Sequence, residues 1–169
     1  INAAVLLRKA GHDVTVHVIG YDDLHVEYAK ECRDYVAEQG LENHVIFHGF
    51  VSDPERFYAS CDVLLISALD ESMPQTMLQA MASGVAVISP SVGGVSELIK
   101  HRYSGLIAKD ASPEELANAV KEFLGYSAAR RAEILRSAYR TIGILGRSSY
   151  VRAELMDLYG SAFRSASAR

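Results

Sequence analysis

The stretch VLLISALDESMPQTMLQAMASGVAVIS, residues 63–89, decides the fold. Val63-Leu64-Leu65-Ile66 is apolar without polar alternation, which predicts a strand buried on both faces. A loop carrying Asp70, Glu71 and Ser72 follows, and Pro74 suits the first turn of a helix. Met77, Leu78 and Met81 fall on the core face of that helix, which runs to Ser83 and stops at Gly84. Val85-Ala86-Val87-Ile88 is a second apolar run. Strand, helix and strand in this order make the βαβ unit of a parallel sheet.

The same alternation extends in both directions. Upstream, residues 1–10 predict the end of an amphipathic helix stopped by Gly11, and Val14–Ile19 a buried strand closed by Gly20. Asp22–Gln39 predicts a charged helix, Val45–Phe47 a strand, and Asp53-Pro54 a short helix to about Ala59. Downstream, Gly93-Gly94 leads into a helix over 95–101, followed by a strand at Gly105–Ala108. Ser112-Pro113-Glu114-Glu115 opens a helix to Leu124, with acids where the helix dipole favours them. Helices over Ser127–Tyr139 and Ser149–Phe163 complete a helical tail. The fold class is therefore α/β, a doubly wound Rossmann-like parallel sheet. Ligands are expected at the carboxyl ends of its strands, in the loops after Ile19, Phe47, Ile66 and Ile88.

Composition agrees with a single globular domain. The chain has 169 residues, 49% hydrophobic and 22% charged, with a net charge of −4. Two cysteines, Cys32 and Cys61, are too few for a disulfide framework, so a cytoplasmic, thiol-state protein is expected. Charge is uneven. Residues 1–120 hold 8 basic and 17 acidic residues, whereas residues 121–169 hold 9 basic and 4 acidic ones. The basic tail raises a membrane-peripheral location by contact with anionic lipid, against the plainer reading of a solvated helix face. Nucleic acid is not an expected partner, because the chain is acidic and carries no recognition motif for it. P-loop, GxSxG, HExxH and GxGxxG patterns are absent. His17 reads as a packed sheet residue rather than a metal ligand, and His44 and His48 lack a third ligand at metal spacing.

The loop at 67–74 holds the candidate chemistry. A helix starting at Pro74 presents free N–H groups toward the sheet's carboxyl edge, which suits a phosphate. Glu71 at the lip can accept hydrogen bonds from sugar hydroxyls, and Gln75 and Gln79 share a helix face. Local chemistry leaves a second reading open, in which Glu71 and Ser72 only cap the helix.

ESMPQTMLQAMASGVAV resembles the nucleotide-sugar segment of the retaining GT-B glycosyltransferases of the "glycosyl transferases group 1" family (GT4), with its E-x7-E pattern. VIFHGFVSDPERFYASCDVLLIS, SVGGVSELIKHRYSGLIAKDASPEELANAV and YVRAELMDLYGSAF resemble the family's flanking segments in the right order, over nearly the whole chain. The resemblance implies the C-terminal half of a GT-B fold: one donor-binding domain over 1–169, truncated at its N-terminus, with 127–169 a helical tail. It makes Glu71 the catalytic residue, which contacts the donor sugar and supports the developing oxocarbenium charge. It places the diphosphate on backbone N–H groups from Met73 to Met77, with the Thr76 hydroxyl adding to them, and counts Ser72, Pro74 and Gln75 among the substrate-binding residues. The base falls near Phe50 and Val51, and Gly20 allows close passage of the chain.

The second glutamate of the motif is Gln79 here, a departure that removes a charge and an acceptor oxygen. The family's Arg and Lys, its first strand and its whole N-terminal domain would precede Ile1. The resemblance implies no metal and no cofactor, with the nucleotide-diphosphate sugar as substrate. The intact protein is expected to move a hexose to a glycan or lipid-linked acceptor held by the missing N-terminal domain, as in polysaccharide biosynthesis. The isolated fragment is expected to be inactive. The alternative is a degenerate, non-catalytic nucleotide-sugar-binding or assembly domain.

Overall fold

The computed structural model describes residues 1–21 and 25–145. The elements in chain order are α1 (Asn2–Lys9), β1 (Val16–Ile19), α2 (Val26–Glu38), β2 (Val45–Gly49), α3 (Glu55–Tyr58) and β3 (Val63–Leu65). They continue with α4 (Gln75–Ala82), β4 (Ala86–Pro90), α5 (Val95–Leu98), β5 (Leu106–Ala108), α6 (Pro113–Gly125) and α7 (Ala128–Leu145). Helices and strands alternate through β5, and every strand pairing is parallel, as the apolar runs predict. The predicted helix at Ser149–Phe163 and the start of the second helix at Asp22 lie outside the described residues.

β4 shows most clearly why these residues form this sheet. It pairs with β3 on one side and β5 on the other, and all five of its residues are buried. Only a continuous apolar run, closed by a serine whose hydroxyl donates to the Pro90 carbonyl, suits such a position. Two groups of side chains cover its two faces. Leu116, Ala117, Val120 and Phe123 of α6 pack with Ala86, Ile88 and Leu106, while Met77, Ala80 and Met81 of α4 pack with Val85 and Val87. The start of α6 follows its sequence closely. Ser112 accepts from the Glu115 N–H, Pro113 fills the first turn, and Glu114 and Glu115 lie at the positive end of the dipole.

The helix expected to end at Tyr139 runs on to Leu145 as α7, and three further expectations need correction. α5 ends at Leu98 rather than His101, because Ile99 turns extended and the Ser104 hydroxyl ties the next turn down. That hydroxyl accepts from the Lys100 N–H and donates to the Leu98 carbonyl. Arg102, in this turn, has a φ of 63° and binds Glu122 of α6. The guanidinium holds the Glu122 carboxyl below its ordinary range. The stability from this link is complete above the ordinary glutamate value and lost as pH falls through the lowered one. Second, β1 begins at Val16 and none of its residues is fully buried. Third, the strands form two sheets, β1-β2 and β3-β4-β5, rather than one.

The seam between the sheets has a clear anatomy. The Val16 N–H donates to the His44 carbonyl, so the alternation of the backbone turns the amides of His17 and Ile19 away from β2. By the same logic Asp62 and Ile66 face β4, and the amides of Val63 and Leu65 face away from it. α1 lies astride this seam. Its Ala3 and Leu7 belong to the core of the three-stranded sheet, whereas its Ala4 and Val5 pack with Val36, Leu41 and Val45 beside the β1-β2 pair. Amide hydrogen exchange should therefore be fast at His17, Ile19, Val63 and Leu65 and slowest at Val87 and Ile88. Equal protection at both sets of sites would contradict two separate sheet edges.

Candidate functional site

The strands run parallel within each sheet, so the loops after β1 and β2 share one sheet's carboxyl edge and the loops after β3 and β4 share the other's. The loop after β3 and the loop after β4 meet in direct contact. The Gly94 N–H donates to the Ser72 carbonyl at 2.6 Å. A Cβ on Gly93, whose φ is 48°, would lie 1.6 Å from the Glu71 carbonyl oxygen. A Cβ on Gly94 would lie 2.5 Å from Met73 Cε and 3.0 Å from the Ser72 carbonyl oxygen. The Gly-Gly pair is thus the seat on which Glu71, Ser72 and Met73 rest, and only glycine admits the approach at 93. In the sequence this pair reads only as the lead into a helix. Its visible signal was two adjacent glycines at the end of a buried strand.

The loop runs into α4 without a side-chain cap. Pro74 takes the cap position in extended conformation, and neither Glu71 nor Ser72 caps the helix. The Ser72 N–H donates to the Glu71 carboxylate at 3.0 Å, so this half-buried acid folds back on its own loop. The Met77 N–H donates to the Pro74 carbonyl at 3.1 Å, and the Met77 side chain lies in the core. Pro74 has no N–H. Of the segment 72–77, the N–H groups of Met73, Gln75 and Thr76 therefore have no acceptor among the described residues. Gln75 and Thr76 are also exposed. Uncapped donors at the positive end of a helix of eight residues make a suitable anion seat. Residues 66–78 and 89–99 contain no Lys or Arg, so these donors carry most of that capacity locally.

Gln79 sits one turn further along α4, exposed, and is not free. The Tyr58 hydroxyl donates to its Oε1 at 3.2 Å and lies 3.5 Å from the Thr76 carbonyl. Burial and the neighbouring Cys61 push the Tyr58 hydroxyl pKa up, so it is a donor across the neutral range. The sequence held Tyr58 only as the tyrosine of a segment that resembles the family's, with no role attached to it.

Gly20 closes the β1-β2 ladder by donating from its N–H to the Gly49 carbonyl at 3.0 Å. The residues that follow these two glycines, Tyr21 and Phe50, stack with ring centroids 4.5 Å apart and planes 17° apart. They are 62% and 59% exposed, an open aromatic surface at the sheet's carboxyl edge. Val51 is half-buried beside Phe50 in sequence. Tyr21 was not among the expected site residues, although an aromatic directly after the strand-closing glycine was the signal for it.

His17 is not packed away. It is exposed, bonded through Nδ1 to His48 Nε2 at 2.9 Å, and Phe57 of α3 contacts both rings. α3 therefore touches both sheets' neighbourhoods, Phe57 on the histidine pair and Tyr58 on α4. Among the described residues no group of three or more His, Cys, Asp or Glu could hold a metal ion, and no helix is long and apolar enough to cross a membrane.

Comparison with known proteins identifies the family of the chain. Residues 1–140 match the sequence family described as Glycosyl transferases group 1. The chain is 34% identical over 100 residues to an uncharacterised glycosyltransferase of Methanocaldococcus jannaschii, covering 56% of this chain and 26% of that protein. It thus spans about a quarter to a third of the curated relatives it matches. Among solved structures, Anabaena HepE in complex with UDP matches with a TM-score of 0.79 at 23% identity, over 94% of this chain and 44% of that one. The C-terminal domain of a glycosyl transferase group 1 family protein, LpcC from Francisella tularensis, matches with a TM-score of 0.72 at 27% identity, over 84% and 74%.

Proposed function

The chain belongs to the group 1 glycosyl transferases, and from that premise we propose that it is the donor-binding domain of a retaining, GT4-type hexosyltransferase. The observation that carries this reading is the seating of the 71–73 loop on Gly93-Gly94, which leaves an uncapped helix start beside a carboxylate at the sheet's carboxyl edge. In this reading the N–H groups of Met73, Gln75 and Thr76 take the diphosphate, with the Thr76 hydroxyl beside them. Glu71 leaves the Ser72 N–H to accept from the donor sugar's hydroxyls and to face the positive charge that develops at the anomeric carbon. The Tyr21–Phe50 surface stacks the base, with Val51 beside it, and Gln79 takes the ribose.

Uracil is the first base to test, since the Anabaena relative was solved with UDP. The acceptor, a glycan or a lipid-linked one, belongs to an N-terminal domain that pairs with this one in the whole protein. No metal or other cofactor is assigned to the site. A cytoplasmic location belongs to this reading, and the exposed Arg136 and Arg140 of α7 support contact with an anionic membrane surface. A second reading has one specific observation in its favour. Gln79 lacks the charge of the family's second glutamate, which fits a domain that binds the nucleotide sugar without turning it over.

Calorimetric titration of UDP-, GDP- and ADP-sugars into the chain tests the shared core of both readings. Saturable one-to-one binding of at least one donor is the expected result. Absence of heat or saturation with all three would remove the donor site.

A further inference from the structure

We propose that Tyr58 is a positioning residue that sets the polarity of the hydrogen bond offered by Gln79, so that the ligand meets an N–H donor there and not an acceptor. This rests on the nucleotide-sugar reading above for the ligand, but its geometry stands on the protein alone. Tyr58 lies on the short helix α3 and Gln79 on α4, 21 residues apart in sequence. The Tyr58 ring is half-buried and packs against the α4 core cluster, so its hydroxyl is brought to α4 by packing rather than by chance rotation of a free side chain.

A tyrosine hydroxyl has one proton to donate, and a glutamine amide has one acceptor oxygen and two N–H donors on opposite arms. The hydroxyl proton has two acceptors in reach, Gln79 Oε1 at 3.2 Å and the Thr76 carbonyl at 3.5 Å, and the shorter contact gives it to Oε1. The Nε2 arm is then turned away from Tyr58 with its two protons unspent. No other partner of the Gln79 side chain is present among the described residues. A hydroxyl of the ligand must therefore accept from Nε2 at this position. A carboxylate here would keep one oxygen on Tyr58 and present the other as an acceptor, reversing the sense of the contact. The substitution of amide for acid is, on this view, a change in what is recognised as well as a loss of charge.

The test uses the full chain, UDP, and its 2′-deoxy and 3′-deoxy analogues, with Tyr58→Phe and Gln79→Glu as variants. For the unaltered chain, loss of the hydroxyl that Gln79 holds should weaken binding about three- to ten-fold, the size of one hydrogen bond. Tyr58→Phe frees the amide from its fixed orientation, so that ratio should fall below that of the unaltered chain while the melting temperature and the folded spectrum stay unchanged. Gln79→Glu should keep discrimination, now through an acceptor. A deoxy-to-ribo ratio that is the same in Tyr58→Phe as in the unaltered chain would overturn the inference. A ligand-free readout separates its failure from failure of the functional reading. The Gln79 side-chain amide signals should shift and broaden in Tyr58→Phe without any nucleotide present. If no nucleotide binds but these signals respond, the donor site is wrong and the clamp is right. If they do not move, the clamp is wrong whatever binds.

Discussion

Replacing Gly93 with alanine should destabilise the fold by at least about 3 kcal/mol and abolish ligand binding at the loop it supports. The cause is steric and local. The new Cβ would stand 1.6 Å from the Glu71 carbonyl oxygen and 2.7 Å from both the Glu71 carbonyl carbon and the Ser72 oxygen. All three are backbone atoms, so no side-chain rotation relieves the overlap, and either the loop after β3 or the loop after β4 must move. The φ of 48° adds a smaller conformational cost that any non-glycine residue meets. Gly84→Ala separates the two costs. Gly84 also has a positive φ, 75°, but nothing lies within 4 Å of its Cβ position. Thermal or denaturant unfolding should give about 1 kcal/mol for Gly84→Ala and clearly more for Gly93→Ala. Equal losses would show that the contact between the two loops is not present in solution.

The second large effect is expected at Glu71. Its carboxylate is satisfied by the adjacent Ser72 N–H in the free protein, so its removal should leave the fold's stability nearly unchanged. With the donor bound, it is assigned to the sugar and not to the nucleotide. Glu71→Ala should therefore weaken a sugar nucleotide by about ten-fold or more, the scale of a hydrogen bond to a charged group. The free nucleoside diphosphate should change by less than about two-fold. Parallel titrations of UDP-glucose and UDP into both proteins read the difference. A uniform loss for both ligands would move Glu71 from the sugar to the phosphates.

How much of this was legible in the sequence depends on how local the cause is. The run Val85–Ile88 announced a buried strand because each of its side chains meets a packed layer, and β4 is that strand. Ser112-Pro113-Glu114-Glu115 announced α6 because cap, first-turn proline and acids act within four residues. The end of α5 was misjudged because a hydroxyl six residues further on, Ser104, terminates it through a turn that no local propensity marks. β1 and β3 are composed as interior strands, yet each has one open edge among the described residues. Strand composition reports the environment a strand suits, not the neighbours it has.

The site divides in the same way. The 71–77 segment was legible as a loop running into a helix, and the structure brings it to the carboxyl edge. Which of its amides are unspent was not legible. Pro74 has none, while Ser72 and Met77 donate to partners inside the segment, Glu71 and Pro74. Tyr58 and Tyr21 were missed because each acts through a contact across the fold, with Gln79 on α4 and with Phe50 after β2. Pairings of that kind are set by tertiary packing and leave no spacing in the chain.

The central claim is that the 71–76 loop and the Tyr21–Phe50 surface together hold a nucleotide sugar. Residue-resolved amide NMR of the chain during titration with UDP-glucose tests it most directly. The account predicts saturating shifts at Met73, Gln75 and Thr76, together with Gly20, Phe50 and Val51, and no comparable change on α6. Shifts confined to α6 and α7, or none at saturating ligand, would contradict it.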